Sequence, residues 1–266
     1  MRADGLWFAY DRGNYVIKGI DLDLFPGELV ALIGCNGSGK TTLVKHFNGL
    51  LKPTKGAVYV DGVDTRRVTA AELARKVGYV FQNPNHQIFE DTVYDEVAFG
   101  PKNLGMSGEG LRKSVRRALD LVGLAGLEDE APYNLSAGAK ERVAIASVLA
   151  MDPKVLIFDE PTTGQDYGTC INIMRTAARC CDAGKAIIVI SHDMELVAQW
   201  ATRVVVMADG RIIADGSPQQ VFSDRDTLEG AGLYPPPVVE VAVKLGLKGI
   251  PVTVDELMSL MLEVLT

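Results

Sequence analysis

Gly34-Cys35-Asn36-Gly37-Ser38-Gly39-Lys40-Thr41 follows an apolar run, Leu29 to Ile33, and precedes a segment of helical pattern. It fits G-x-x-x-x-G-K-[ST], the spacing of a phosphate-binding loop set between a buried strand and a helix. Glycines let backbone N–H groups close on phosphate oxygens, and the N-terminus of the next helix adds a positive field. On that pattern Asn36, Gly37, Ser38 and Gly39 form the cradle, and Lys40 reaches the β and γ phosphates. Thr41 offers its hydroxyl to Mg²⁺, and Thr42 adds a phosphate contact. Strand, loop and helix in this order predict an α/β fold.

Working outward, the N-terminal stretch alternates as strands do, over Leu6 to Tyr10 and Ile20 to Leu24, with a Pro26-Gly27 turn into Leu29 to Ile33. An antiparallel layer is predicted. Thr42 to Leu51 reads as helix, ended by Pro53 and Gly56, and Ala57 to Val60 as a strand before an Asp61-Gly62 turn. Thr69-Ala70-Ala71-Glu72 has capping-box spacing, predicting a short helix ahead of a strand from Val77 to Phe81. From about Asn83 to Ala150 the periodicity is helical, with breaks predicted at Gly100-Pro101 and Gly105. Strand and helix patterns then alternate: Val155 to Phe158, Cys170 to Ala183, Ala186 to Ile190, Met194 to Ala201 and Val204 to Met207. That is the order of a parallel core. An Asp209-Gly210 hairpin leads to Arg211 to Ala214, and past Gly216 the composition shifts. After Pro235-Pro236-Pro237, a second capping box, Thr253-Val254-Asp255-Glu256, opens a helix with Leu257, Leu260, Met261 and Val264 on one face. That face has to cover its own domain or another subunit.

A chain of 266 residues with 47 % hydrophobic content supports a sizeable core and about two domains. No apolar run approaches the roughly 18 residues of a membrane span, so a membrane role has to come through a partner. The start, Met1-Arg2-Ala3-Asp4-Gly5, lacks a basic and apolar leader, and the chain is expected in the cytoplasm. A net charge of −7 without a basic stripe argues against nucleic acid as a partner. Cys35, Cys170, Cys180 and Cys181 show no C-x-x-C spacing, so neither zinc nor a disulfide is predicted. Cys35 sits in the phosphate loop near a helix N-terminus and reads in two ways: as an inert thiol, or as one whose thiolate is favoured there, so that alkylation blocks nucleotide.

Three further strand ends carry chemistry. Val155-Leu156-Ile157-Phe158-Asp159-Glu160 is an apolar strand ending in two carboxylates: Asp159 suits Mg²⁺ through water, and Glu160 suits the water that attacks the γ-phosphate. Ser191-His192 follows the strand ending at Ile190, which lets the imidazole donate to the γ-phosphate. Gln82, directly after the strand ending at Phe81, is placed to touch the metal or the water.

Taken in order, these motifs resemble the nucleotide-binding subunit of ATP-binding cassette (ABC) transporters over roughly residues 3 to 216. The family's signature, normally L-S-G-G-Q, stands here as Leu135-Ser136-Ala137-Gly138-Ala139, and its D-loop matches Gly164-Gln165-Asp166. Tyr10 occupies the place of the adenine-stacking aromatic, with Tyr15 the weaker candidate. The resemblance implies a P-loop cassette of residues 1–216, with an antiparallel β subdomain, a parallel core and a helical subdomain of about 83–150. It also implies ATP with Mg²⁺ and head-to-tail closure of two subunits. In the closed pair, Ser136 and the amides around Gly138 contact the γ-phosphate held by the other chain, and Asp166 of the D-loop joins the nucleotide-binding residues. Ala137 and Ala139 depart from the pattern: one adds a methyl, the other loses the glutamine side chain.

Val80-Phe81-Gln82-Asn83-Pro84-Asn85-His86-Gln87-Ile88-Phe89, Thr92 to Pro101, and Thr162 to Asp166 are similar to energy-coupling factor (ECF) transporter ATPases, including the cobalt-importer group. That branch implies a C-terminal dimerisation domain at 217–266, a second ATPase subunit or another copy, a transmembrane coupling subunit and a substrate-binding membrane subunit. Vitamin or transition-metal uptake at the cytoplasmic face of the membrane is the expected work. A conventional importer ATPase with a periplasmic binding protein and a soluble ABC ATPase are the alternatives.

Overall fold

The computed structural model describes residues 1–11 and 13–265; the side chains of Val264 and Leu265 are outside that set, and with them the place predicted for Val264. β1 (Arg2–Ala9) and β2 (Tyr15–Asp23) pair antiparallel, Leu6 opposite Ile20 and Phe8 opposite Ile17, with these four side chains in the core. β3 (Leu29–Ile33) is buried at all five positions and leaves that layer. The antiparallel expectation therefore fails for this strand. A continuously apolar run has no polar face to give to water, so it joins a parallel sheet covered on both sides. After the loop comes α1 (Lys40–Phe47), which stops short of the predicted Leu51 because Asn48 and then left-handed Gly49 (φ +76°) close it. β4 (Lys55–Val60) and β5 (Val63–Asp64) complete the antiparallel sheet, order β2-β1-β4-β5.

The Thr69–Glu72 capping box forms as predicted and opens α2 (Ala70–Leu73), which leads to β6 (Val77–Val80). The helical subdomain holds α3 (Val93–Asn103), α4 (Gly108–Val122) and α5 (Ala137–Leu149), packed through Val97, Leu119, Val143 and Ile145. α3 runs through Gly100-Pro101, where a break was predicted. Pro101 lies in its last turn, buried, so only one donor is lost, and Leu104 N still reaches Gly100 O at 3.1 Å. Left-handed Gly105 (φ +89°) makes the stop.

β7 (Val155–Asp159), α6 (Tyr167–Asp182), β8 (Ala186–Ile190), α7 (Met194–Trp200), β9 (Arg203–Ala208) and β10 (Arg211–Gly216) complete a second sheet in the order β10-β9-β3-β8-β7-β6. β3 is parallel to β8 and β9, and β7 is parallel to β6 and β8, while β10 returns antiparallel. Parallel strands deliver their C-terminal ends to one edge. The segments after β3, β8, β7 and β6, which carry the phosphate loop, His192, Glu160 and Gln82, therefore stand side by side.

The tail forms α8 (Pro218–Ser223), α9 (Arg225–Gly230), α10 (Pro237–Lys244) and α11 (Val254–Leu265). Its buried residues Val221, Phe222, Leu228, Val239 and Val252 share one cluster with Ala31, Ile33, Val204 and Val206 of the sheet. At the start of α11, Thr253 Oγ1 accepts from Glu256 N at 3.3 Å. The Glu256 carboxylate reaches back to Val252 N at 2.7 Å, one residue before the predicted partner.

Candidate active site

The loop between β3 and α1 depends on close backbone approach. A Cβ at Gly34 would lie 2.3 Å from the Met207 carbonyl oxygen and 2.8 Å from Ser38 Oγ. Ser38 Oγ is buried with no partner, and Gly39, the N-cap of α1, offers no side-chain cap. Unmet polar groups and uncapped amides at a helix start suit an anion. Lys40 is only 5 % exposed, its Nζ donating to Gly34 O at 2.7 Å and Cys35 O at 3.0 Å. Burial lowers its pKa, and the charge of Glu160 opposes that shift.

At the end of β7 the two carboxylates are held in different ways. Thr41 Oγ1 donates to Asp159 Oδ1 at 3.2 Å, and the Tyr79 phenol donates to Oδ2. Burial pushes the Asp159 carboxyl up, against the pull of those two bonds. Glu160 has left-handed backbone (φ +54°), a strained state for a residue with a Cβ, and its N–H donates to Ile190 O at 3.1 Å. Gln82 Nε2 donates to Glu160 Oε2 at 2.9 Å and His192 Nε2 donates to Oε1 at 2.9 Å. A carboxylate only accepts, so His192 carries its proton on Nε2. Thr163 Oγ1 adds a longer contact of 3.4 Å to Oε2.

A cleft of about 460 Å³ opens between these groups, lined by Val16, Asn36, Gly37, Gly39, Lys40, Thr41 and Thr42 together with Gln82, Glu160 and His192. Tyr10 stands beside it, 59 % exposed, its hydroxyl 3.2 Å from Thr42 Oγ1 and its ring edge-on to Phe8. Tyr15 is engaged elsewhere, edge-on to Trp7 with Lys55 Nζ 5.2 Å above its ring.

Residues 17–163 match the family model described as ABC transporter, and the chain is 45 % identical over 243 residues to the energy-coupling factor transporter ATP-binding protein EcfA of Methanocaldococcus jannaschii, covering 91 % of this chain and 87 % of that protein. The chain belongs to the ABC transporter family. It is an ABC ATPase. A homologue from Caldanaerobacter subterraneus is 46 % identical over 92 % of this chain, which spans 43 % of that longer relative. Among solved structures, CbiO1 from Clostridium perfringens, described as part of the ABC transporter complex CbiONQ, superposes with a TM-score of 0.79 at 37 % identity, over 92 % of this chain and 95 % of that one. A dimeric ATP-binding cassette in a post-hydrolysis state, bound to ADP and Pi, gives a TM-score of 0.73 at 30 % identity, over 81 % of this chain and 97 % of that one.

In this ABC ATPase the signature lies apart from the cleft. Ser136 is the N-cap of α5, accepting from Ala139 N at 3.3 Å, and Ala139 is buried in the helical core. Ala137 and Lys140 line a second cavity of about 580 Å³ together with Gln82, Pro84 and Gln165. Gly138 packs on α6: a Cβ there would come 2.9 Å from Thr169 Oγ1 and 3.2 Å from Gln165 Oε1. Asp166 caps α6 by accepting from Thr169 N at 3.0 Å and Thr169 Oγ1 at 2.7 Å, and the latter bond chiefly holds its carboxyl below the usual range. The Cys35 thiol donates to Ala231 O at 2.8 Å in the tail, and Cys35 is not among the residues lining the cleft. Sequence reasoning missed Tyr79, Thr163 and Val16. For Tyr79 a clue existed, since parallel register sets it opposite Ile157, two residues before Asp159.

Proposed function

We propose that this chain is the ATP-hydrolysing subunit of an ECF-type importer that powers uptake of a vitamin or a transition-metal ion. The observation that carries the reading is Glu160, clasped between Gln82 and His192 at the mouth of a phosphate cradle, with the signature facing a separate cavity. On this reading the loop amides and Lys40 hold the β and γ phosphates, Lys40 leaving the carbonyls of Gly34 and Cys35 to do so. Glu160 turns from its two clasping partners to accept a proton from the attacking water, and His192 donates to the γ-phosphate. Tyr10 stacks on adenine.

Thr41 and Asp159 are hard oxygen donors on adjacent strand ends, which fits Mg²⁺. Gln82, at the neighbouring strand end, would join Thr41 and Asp159 in holding the cation. The cation supplies charge neutralisation of the phosphates.

Because Ser136 and Gly138 lie outside the cleft, the cap over ATP comes from a second ATPase subunit, another copy or a sister chain, closing head to tail with Asp166 at the interface. Dimeric assembly of a similar cassette supports this. No helix among the described residues is long and apolar enough to cross a membrane, so transport runs through a transmembrane coupling subunit and a substrate-binding membrane subunit, with this chain at the cytoplasmic face. Exposed Phe89 and Phe99, edge-on at 4.7 Å, mark the groove near Gln82 for the coupling helices. Residues 217–266 serve as the dimerisation domain.

Glu160→Gln tests the chemistry: ATP turnover falls by about 100-fold or more while an ATP-bound dimer accumulates in size-exclusion chromatography. Undiminished turnover removes Glu160 from the mechanism. A pull-down from detergent-solubilised membranes tests the coupling. Recovery of a transmembrane protein and a second cassette supports the importer; recovery of soluble proteins alone hands the assignment to a soluble ABC ATPase.

A further inference from the structure

The phenol of Tyr79 has no part in the chemistry described above, yet it is spent on the site. Tyr79 stands half-buried on β6, which pairs with β7 so that Tyr79 lies opposite Ile157. Strand side chains repeat on one face every second residue, so Asp159 comes to the same face as Ile157, one step toward the site. The phenol spans that step and donates to Asp159 Oδ2 at 2.5 Å. Phe81 braces the ring edge-on at 5.0 Å. Thr41 takes the other oxygen, Oδ1, at 3.2 Å. Both carboxylate oxygens thus have a hydroxyl donor, and the plane of the carboxylate is set.

Thr41 and Asp159, with Gln82, are the side chains proposed to hold the cation, and the phenol is not one of them. A group that fixes the orientation of a ligating carboxylate raises affinity by sparing it that ordering on binding. We propose that Tyr79 is a positioning residue for divalent-cation binding, holding the Asp159 carboxylate in place beside Thr41. This rests on the reading of Thr41 and Asp159 as the metal's side-chain ligands.

The test uses the full chain with ADP and Mn²⁺, free Mn²⁺ being counted by electron paramagnetic resonance. Tyr79→Phe keeps the ring and removes the donor. Nucleotide-dependent Mn²⁺ affinity is expected to fall about 10-fold, and the Mg²⁺ concentration giving half-maximal ATP hydrolysis to rise by a similar factor, with excess Mg²⁺ restoring the rate. Ile157→Val, which trims the opposite position on β7, is expected to leave Mn²⁺ affinity unchanged. If Tyr79→Phe binds Mn²⁺ as tightly as the parent chain, or if Ile157→Val loses as much, Tyr79 acts only by packing and the proposal is overturned while the metal assignment stands. If the parent chain with ADP binds no Mn²⁺, the metal assignment itself fails and takes the proposal with it.

Discussion

Glu141 carries a cost that its surroundings in the sequence conceal. In Lys140-Glu141-Arg142 it stands between two cationic residues, yet it is 1 % exposed, with an Oε1 that has no partner. Burial pushes its carboxyl from 4.5 up to about 8. Between those values the unfolded chain loses its proton while the native chain keeps it. The stabilisation is therefore whole below about pH 4.5 and is lost as pH rises through about 8, at up to roughly 1.4 kcal/mol per unit. Glutamine cannot ionise. Glu141→Gln is expected to gain on the parent chain by about 3 kcal/mol between pH 5 and pH 8, read as the difference in urea unfolding free energies. A difference that stays flat over that range refutes the buried, neutral Glu141. The contrast with Lys40, Thr41 and Asp159 is instructive: fixed spacing announced those residues, whereas burial of a lone acid is decided by helices far away in the chain.

At the scale of elements, the apolar runs that end in Gly34, Gln82, Glu160 and His192 were legible because each is short, continuous and followed by polar groups. Their meeting at one edge follows once the strands are parallel. Periodicity did not show that β3 leaves the antiparallel layer, since partner choice depends on what covers each face; nor that α3 tolerates Pro101, since that depends on where the helix stops. The glycine of the signature is a related case. Its type was legible as a place for backbone to approach ATP, but within one chain Gly138 also lets α5 close on Thr169 at the start of α6. Gly138→Ala is therefore expected to destabilise the isolated chain by about 1–3 kcal/mol through overpacking. Thr169→Ala removes both atoms nearest the added methyl. In that background the same change becomes neutral or stabilising, because alanine is favoured over glycine in a helix by up to about 1 kcal/mol. Thermal unfolding of the four chains of this cycle gives the answer, and additive costs would show that the two helices do not press on each other here.

For the molecule as a whole, the tail presents two apolar surfaces with different work. Phe222, 1 % exposed, and Leu228 pack with Ile33 and Val206, so the tail props the strand that feeds the phosphate loop, and Cys35 reaches across to Ala231. On α11 the predicted face of Leu257, Leu260 and Met261 is half-buried, with Leu260 against Gly249. A second stripe was not read from the pattern: Val254 and Met258, four apart, lie exposed, as do Val243 and Leu245 at the α10 end. An outer apolar stripe on a helix already docked on its inner side fits the proposal that residues 217–266 are a dimerisation domain. The two surfaces separate under mutation. Phe222→Ala empties the inner core and is expected to cost about 3–5 kcal/mol of stability, seen as a lower melting temperature. Met258→Glu should leave the melting temperature of the dilute monomer within about 2 °C, since exposed substitutions rarely shift stability by more than about 0.5 kcal/mol. On that proposal its effect falls on assembly: burying an unpaired carboxylate in the stripe is expected to weaken nucleotide-free association by about 10-fold or more in sedimentation velocity, with this chain alone or mixed with a sister cassette. Unchanged association in both mixtures would assign the outer stripe of α11 no part in the dimer and leave closure to the ATP sites alone.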